Sequence, residues 1–184
     1  MIVVSNQIAL QSIKQADQVA LYDLMQHIYP PAYKHFWKDD CSWYLNQLYC
    51  FDNLKKELHQ KGGDYYFVCF RESEKTPYQT IGIFKTISNY IYPPLPKYKA
   101  FKIHRIYLNP KLQSHGIGKK LMIYAEQIAT TTNHNLIWLD AMDKHQQAQG
   151  FYKSLGYTKT ILQQLDLELL HQEYRPMWYQ HKML

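Results

Sequence analysis

The stretch Arg105-Ile-Tyr-Leu-Asn-Pro-Lys-Leu-Gln-Ser-His-Gly-Ile-Gly-Lys-Lys-Leu121 decides how this chain is read. An apolar run closing at Leu108 reads as a strand, Asn109-Pro110 turns the chain, and Gly116-Ile117-Gly118 opens a helix. Glycine lets a backbone approach a ligand closely and take conformations closed to other residues. A helix start points unpaired N–H groups and a partial positive charge outward, which suits a pyrophosphate. Lys119 and Lys120 add cationic charge at the same end. Two other phosphate motifs do not fit. A Walker A loop needs Gly-Lys followed by Ser or Thr, and here Lys120 follows Lys119; a dinucleotide fingerprint needs a third glycine, and none follows Gly118 at that spacing. The two glycines are also compatible with the start of a tightly packed helix that binds nothing.

Upstream, residues 65–70 and 80–84 have the composition of neighbouring strands, joined by a polar turn through Glu72 to Pro77. Residues 90–99 carry Pro93, Pro94 and Pro96 and read as an irregular loop with aromatic tips. Nearer the N-terminus, Ile8 and Leu10 suggest a short first strand. Leu21, Leu24, Met25 and Ile28 recur at helical spacing, and Pro30-Pro31 ends that helix. A second helix begins with Ser42 as its N-cap; a third follows Asp52, with Leu54 and Leu58 four apart, and closes at Gly62-Gly63. Downstream, Ile117, Leu121, Ala125 and Ile128 mark an amphipathic helix, and residues 136–142 a buried strand. Ala148, Phe151 and Leu155 give a short helix that Gly156 terminates, and the remainder, from Tyr157 to Met177-Trp178-Tyr179, supplies two closing strands. Helices first, then strands with crossover helices, predict an α/β (α+β) fold: a mixed sheet covered by helices, with residues 1–184 forming one domain.

Composition excludes several classes. No run approaches the length of about 20 apolar residues that a membrane-spanning helix requires, and the N-terminus lacks the basic and apolar regions of a secretory signal. Cys41, Cys50 and Cys69 show no metal-ligand spacing, and three thiols cannot close a disulfide framework; reduced cysteines in a cytoplasmic protein are the expectation, with no metal. The net charge of +6 attracts polyanions, but its lysines are scattered rather than clustered with exposed aromatics, which disfavours a nucleic-acid-binding module. The 17 tyrosines, with Tyr22, Tyr29, Tyr33, Tyr44 and Tyr49 among the first 50 residues, suit either a pocket lining or a core.

Gln113-x-x-Gly116-x-Gly118 after a strand resembles the Arg/Gln-x-x-Gly-x-Gly/Ala signature of the GNAT superfamily of acetyltransferases. Ala148-x-x-Phe151-Tyr152-x-x-x-Gly156-Tyr157 resembles that superfamily's second block, and the two stand in the expected order. Asn53-Leu-Lys-Lys-Glu-Leu58 and Arg105-Ile-Tyr-Leu are similar to the bacterial spermidine/spermine N-acetyltransferase branch. The resemblance implies a mostly antiparallel central sheet with a V-shaped opening between two splayed parallel strands, residues 101–108 and 136–142. Acetyl-CoA would be the cosubstrate. Backbone groups of Ile106, Tyr107 and Leu108 would bond its pantetheine arm, while Gln113, Ser114, His115, Gly116, Ile117, Gly118 and Lys119 would hold its pyrophosphate. His145 stands where many relatives carry an asparagine that touches the cofactor, and a histidine can also donate a hydrogen bond.

Forming an amide from a thioester requires a neutral amine and a protonated leaving sulfur. By resemblance Tyr152 is the general acid; a core tyrosine is the other reading. A primary amine, with a pKa of about 10.4, arrives as ammonium and must lose a proton. His104, on the strand leading to the cofactor, is the candidate base, with Lys102 two residues earlier on the same strand face. An ordinary strand histidine and a water chain are the alternatives. The acceptor, an amine of a small molecule such as a polyamine, is expected among the N-terminal helices and the 90–99 loop. There Tyr29, Tyr33, Trp37, Asp39 and Asp40 offer ring faces and carboxylates, or else mere packing. Acetylation of a protein amine, a sensor without catalysis, and a homodimer through the closing strands stay open.

Overall fold

In the computed structural model, which describes residues 1–184, the apolar runs become one eight-stranded sheet. Strands β1 (Ile2–Ser5), β2 (Ile8–Ser12), β3 (Gly63–Phe70), β4 (Gln79–Ile87) and β5 (Ala100–Leu108) follow one another as antiparallel neighbours. β6 (Leu136–Met142) lies parallel to β5, and β8 (Pro176–Met183) inserts antiparallel between β6 and β7 (Thr158–Gln164). The sheet is therefore antiparallel but for one pair.

That pair opens the molecule. Its parallel register runs only through Ala100–Leu136, Phe101–Ile137 and Lys102–Trp138, after which β5 and β6 part and leave their facing backbone edges free. His104 lies just beyond the parting. Lys85 pairs with Arg105 but Thr86 with Ile103, so His104 is the extra residue of a β-bulge. The bulge resets the alternation of β5. Phe101, Ile103, Ile106 and Leu108 all pack on one core, whereas Tyr107 packs on the other and Arg105 reaches Glu57. Strict alternation would have turned Ile106 and Leu108 to the opposite face.

Helices cover both faces. On one, α1 (Gln18–Ile28), the one-turn α2 (Pro30–Tyr33), α3 (Ser42–Leu48) and α4 (Phe51–Leu58) enclose a core that includes Leu21, Met25, Leu45 and Leu54. On the other, α5 (Ile117–Thr131) and α6 (Gln146–Ser154) cover Phe101, Ile103 and Ile137. α1 buries Leu21, Met25 and Ile28 at steps of four and three, the stripe of a half-buried helix.

Three local expectations are corrected. Residues 2–5 pair with β2, so the chain begins with a hairpin rather than one short strand. Pro30 ends α1 yet also starts α2, as its missing N–H costs nothing at a first helical position. Ser42 is the first residue of α3, not its cap: Cys41 takes that place in a left-handed conformation, and the Asp39 carboxylate accepts from the Trp43 N–H at 2.6 Å.

Candidate active site

From the parting of β5 and β6 a groove of about 420 Å³ runs along β5 to the N-terminus of α5. Ile106, Tyr107 and Leu108 form its strand wall, and Gln113, Ser114, Gly116, Ile117, Gly118 and Lys119 its far end. His145 and Tyr152 border it from α6. His115 is not part of the wall; it is exposed, with its ring 5.9 Å from Phe70 and its Nδ1 3.1 Å from the Gln113 carbonyl oxygen. Gly116 caps α5 with φ 69° and no side-chain bond, and a Cβ there would meet nothing within 4 Å. The first amides of α5 thus open onto free space, a setting suited to an anion. Gly118 serves differently. A Cβ there would stand 3.3 Å from the Phe151 ring, so this glycine lets α5 approach α6.

Across Tyr152 lies a second cavity of about 210 Å³. Its helical wall is aromatic: Tyr29 stacks on Tyr33 and on Tyr44 with centroids 4.5 and 4.7 Å apart, and Trp37 packs 4.9 Å from Tyr44. β5 adds His104 and Arg105, and β6 adds Leu139 and Asp140. A strap between β7 and β8 borders it with Leu165, Leu167 and Leu170. Groove and cavity share Tyr33, Ile106, Tyr107, His145, Ala148 and Tyr152, so the two chambers meet at these residues.

The acceptor-side expectations divide. Tyr29, Tyr33 and Trp37 line the cavity; Asp39, Asp40 and the 90–99 loop do not. Asp39 accepts from the Trp43 N–H of α3 through Oδ2, and its Oδ1 is buried without a partner. The loop is fastened elsewhere: Tyr92 is fully buried 5.2 Å from the Trp138 ring, and the indole N–H donates to the Tyr90 carbonyl at 3.1 Å. Asp140, Arg105 and the strap were missed. An acid inside the apolar run Leu136-Ile-Trp-Leu-Asp-Ala-Met142 was one available signal, and the alternation in Leu165-Asp-Leu-Glu-Leu169 another.

Charge beneath the cavity is mostly cationic. Glu57 of α4 pairs with both Arg105 and Lys85, the latter at 3.5 Å, while Lys85 donates to the Gln60 side chain at 2.7 Å. Burial brings the Lys85 ammonium down to about 8. Lys102 holds the Asp140 carboxylate at 2.6 Å and stands 4.3 Å from the Trp138 ring centroid. His104 sits among these cations with its Nδ1 buried and without a partner. Burial first, then Arg105, Lys102 and Lys85, push its imidazole down to about 2, so it is neutral and a weak proton acceptor.

The residues at the junction are held in defined protonation states. Burial, helped by the Asp140 charge, raises the Tyr152 hydroxyl well above the usual phenol range and keeps its proton on. His145 caps α6, its Nδ1 accepting from the Ala148 N–H at 3.3 Å, which leaves Nε2 to carry the proton. Gln149 fixes α6 to the sheet: its Nε2 donates to the Met142 carbonyl at 2.8 Å, and its Oε1 accepts from Gln180 at 3.0 Å.

Splayed parallel strands, an open helix N-terminus at the end of their groove, and a separate chamber meeting it at a buried hydroxyl define a site for transferring a group between two substrates. The acetyltransferase (GNAT) family model matches residues 20–157, and the chain belongs to that family, whose enzymes take their acyl group from acetyl-CoA. A curated relative, an uncharacterized N-acetyltransferase of Lactobacillus delbrueckii subsp. lactis, is 26% identical over 121 residues, or 66% of each chain. The match thus spans slightly less than two thirds of that relative's length. Among solved structures, the spermidine N-acetyltransferase of Vibrio cholerae, in complex with CoA and spermine, superposes with TM-score 0.67 at 15% identity, covering 97% of this chain and 96% of that one. The PaiA N-acetyltransferase of Thermoplasma acidophilum, in complex with coenzyme A, gives TM-score 0.69 at 16% identity, covering 96% and 99%. At these identities the likeness is one of fold.

Proposed function

We propose that this chain is an N-acetyltransferase that moves the acetyl group of acetyl-CoA to an amine of a small molecule, both bound at once. The observation that carries this reading is the junction at Tyr152, where the groove ending at the α5 N-terminus meets a second, partly open cavity of different chemistry. Acetyl-CoA supplies the activated thioester. The free edges of β5 beside Ile106, Tyr107 and Leu108 are suited to its pantetheine amides, and the open amides at Gly116 with Lys119 to its pyrophosphate. Gln113, Ser114, Ile117 and Gly118 complete that end, and the Nε2 proton of His145 is available to the arm.

The amine nitrogen bonds to the thioester carbon, the carbon–sulfur bond breaks, and the sulfur leaves with its electron pair. Tyr152 returns a proton to that sulfur, and the proton shed by nitrogen leaves to water and restores the phenol. His104 is a poor base in its cationic surroundings, so the amine enters the reaction after losing its ammonium proton to water. Side-by-side binding supplies much of the acceleration. The small volume of the cavity, with the strap leucines along one side, favours a small molecule over a protein surface.

The test follows free CoA thiol released from acetyl-CoA across a panel of small primary amines and lysine peptides, beside thermal shift with CoA alone. A CoA-dependent rise in melting temperature with amine-dependent thiol release is expected. No shift, or release only with peptides, overturns the reading.

A further inference from the structure

The charge pattern of the acceptor cavity narrows its substrate, an inference that rests on the acetyl-transfer reading above. Asp140 is the one carboxylate in the wall, and Lys102 already pairs with it at 2.6 Å. The next carboxylate, Glu57, is committed to Arg105 and Lys85. Asp166 and Glu168 of the strap are exposed while Leu165 and Leu167 line the cavity, so alternation carries those acids outward. Asp39 is bound to the α3 backbone. Apart from Asp140, Arg105, His104 and His145, the wall is tyrosine, tryptophan, isoleucine, leucine, alanine and methionine. The volume of about 210 Å³ lies below the roughly 300–1,000 Å³ of pockets that take drug-sized ligands.

We propose that the acceptor is a compact primary monoamine with an apolar body, and that this cavity rejects linear polyamines. The single amino group turns toward Tyr152, where groove and cavity meet. The apolar body lies against Tyr29, Tyr44 and Leu167, gaining the burial that stacked rings and leucines offer. A polyamine's second ammonium would lie among Leu165, Leu167 and Leu170, with no unpaired carboxylate in the wall to replace the water it loses. The fold shared with a spermine-bound neighbour does not carry over this preference, because specificity lives in the wall and not in the architecture.

The experiment compares 2-phenylethylamine with spermidine in two readouts: kcat/KM with acetyl-CoA, and calorimetric binding of each amine to the protein loaded with CoA. A preference for 2-phenylethylamine on the order of 100-fold or more is expected in kcat/KM, with the same order in binding. Equal or better performance by spermidine overturns the proposal while leaving acetyl transfer standing. Failure of both amines to bind the CoA-loaded protein also overturns it. Failure to bind CoA itself removes the reading beneath it, and thermal shift separates that case. Leu167→Glu, which sets a carboxylate on the strap, is expected to move the ratio toward spermidine by about tenfold; an unmoved ratio overturns the assigned wall.

Discussion

Between Ile106 and Lys119 the molecule offers a ligand strand edges and a helix start. Across Tyr152 it offers rings, leucines and one carboxylate. The groove works largely through backbone, whose N–H and C=O groups are the same for almost every sequence, so its identity depends on a few glycines that let the chain come close. The cavity works through side chains brought in from β5, β6, the N-terminal helices and the strap, and each can change without disturbing the groove. One half of the site can therefore be common to a family while the other sets what an individual member accepts.

Tyr152 joins the two halves, and its removal should have the largest effect. Tyr152→Phe keeps the ring and its packing and deletes the hydroxyl. Turnover should fall about 100- to 10,000-fold, roughly 3–5 kcal/mol in the barrier, with CoA affinity nearly unchanged. Single-turnover rates at saturating acceptor, compared with CoA titrations, check this. Lost CoA affinity with a normal rate per complex would make Tyr152 part of the groove wall alone.

Glu57→Gln probes the cavity side from beneath. It leaves Lys85 and Arg105 buried without a carboxylate, and about 3 kcal/mol of stability should be lost, read as a lower urea midpoint. CoA affinity of the folded variant should hold, since neither Glu57 nor Lys85 borders the groove. A parallel loss of CoA binding would show that the two halves are not independent.

His104 supplies the pH dependence. Its folded-state pKa of about 2 lies below the ordinary value of about 6.5. Above 6.5 the ring is neutral in both states; below it the unfolded chain binds a proton that the folded one does not. Stability is therefore lost as pH falls from 6.5 toward 2, by about 2 kcal/mol between pH 7 and pH 5. Urea unfolding of His104→Gln at those two pH values should show a loss smaller by that amount. An unchanged loss would mean that His104 titrates normally.

The smallest effect is expected in the groove. Gly116→Asp sets a negative charge where the pyrophosphate would lie, at a left-handed φ of 69° that a residue with a side chain adopts only with strain. A drop in CoA affinity of about tenfold, or roughly 1.4 kcal/mol, with a melting temperature somewhat below the parent's, is expected from calorimetry and thermal unfolding. Unchanged affinity would move the phosphates away from α5.

By itself, the sequence determined those parts of the protein whose signals are local. Periodicity placed α1, α5 and β6, because a repeat of 3.6 or 2 is written into a few consecutive residues. Gly116 with Gly118 after a strand suggested a backbone anion site, because such a site needs only permissive residues at fixed offsets, while Phe151-Tyr152 before Gly156 entered the reading through the family resemblance. Tertiary structure alone decided the rest. β1 hid in a short exposed edge, and the place of β8 between β6 and β7 follows from sheet pairing that no local pattern records. The bulge at His104 turned Arg105 toward Glu57 and surrounded the histidine with cations, which weakens its basicity. Asp140 and the leucines of the strap read as ordinary strand and core residues until residues 29–44, 104–107, 139–142 and 165–170 met around one space. The energy of a charge or an apolar wall depends on what lies within a few ångströms of it, and for these residues that was set by segments far apart in the chain.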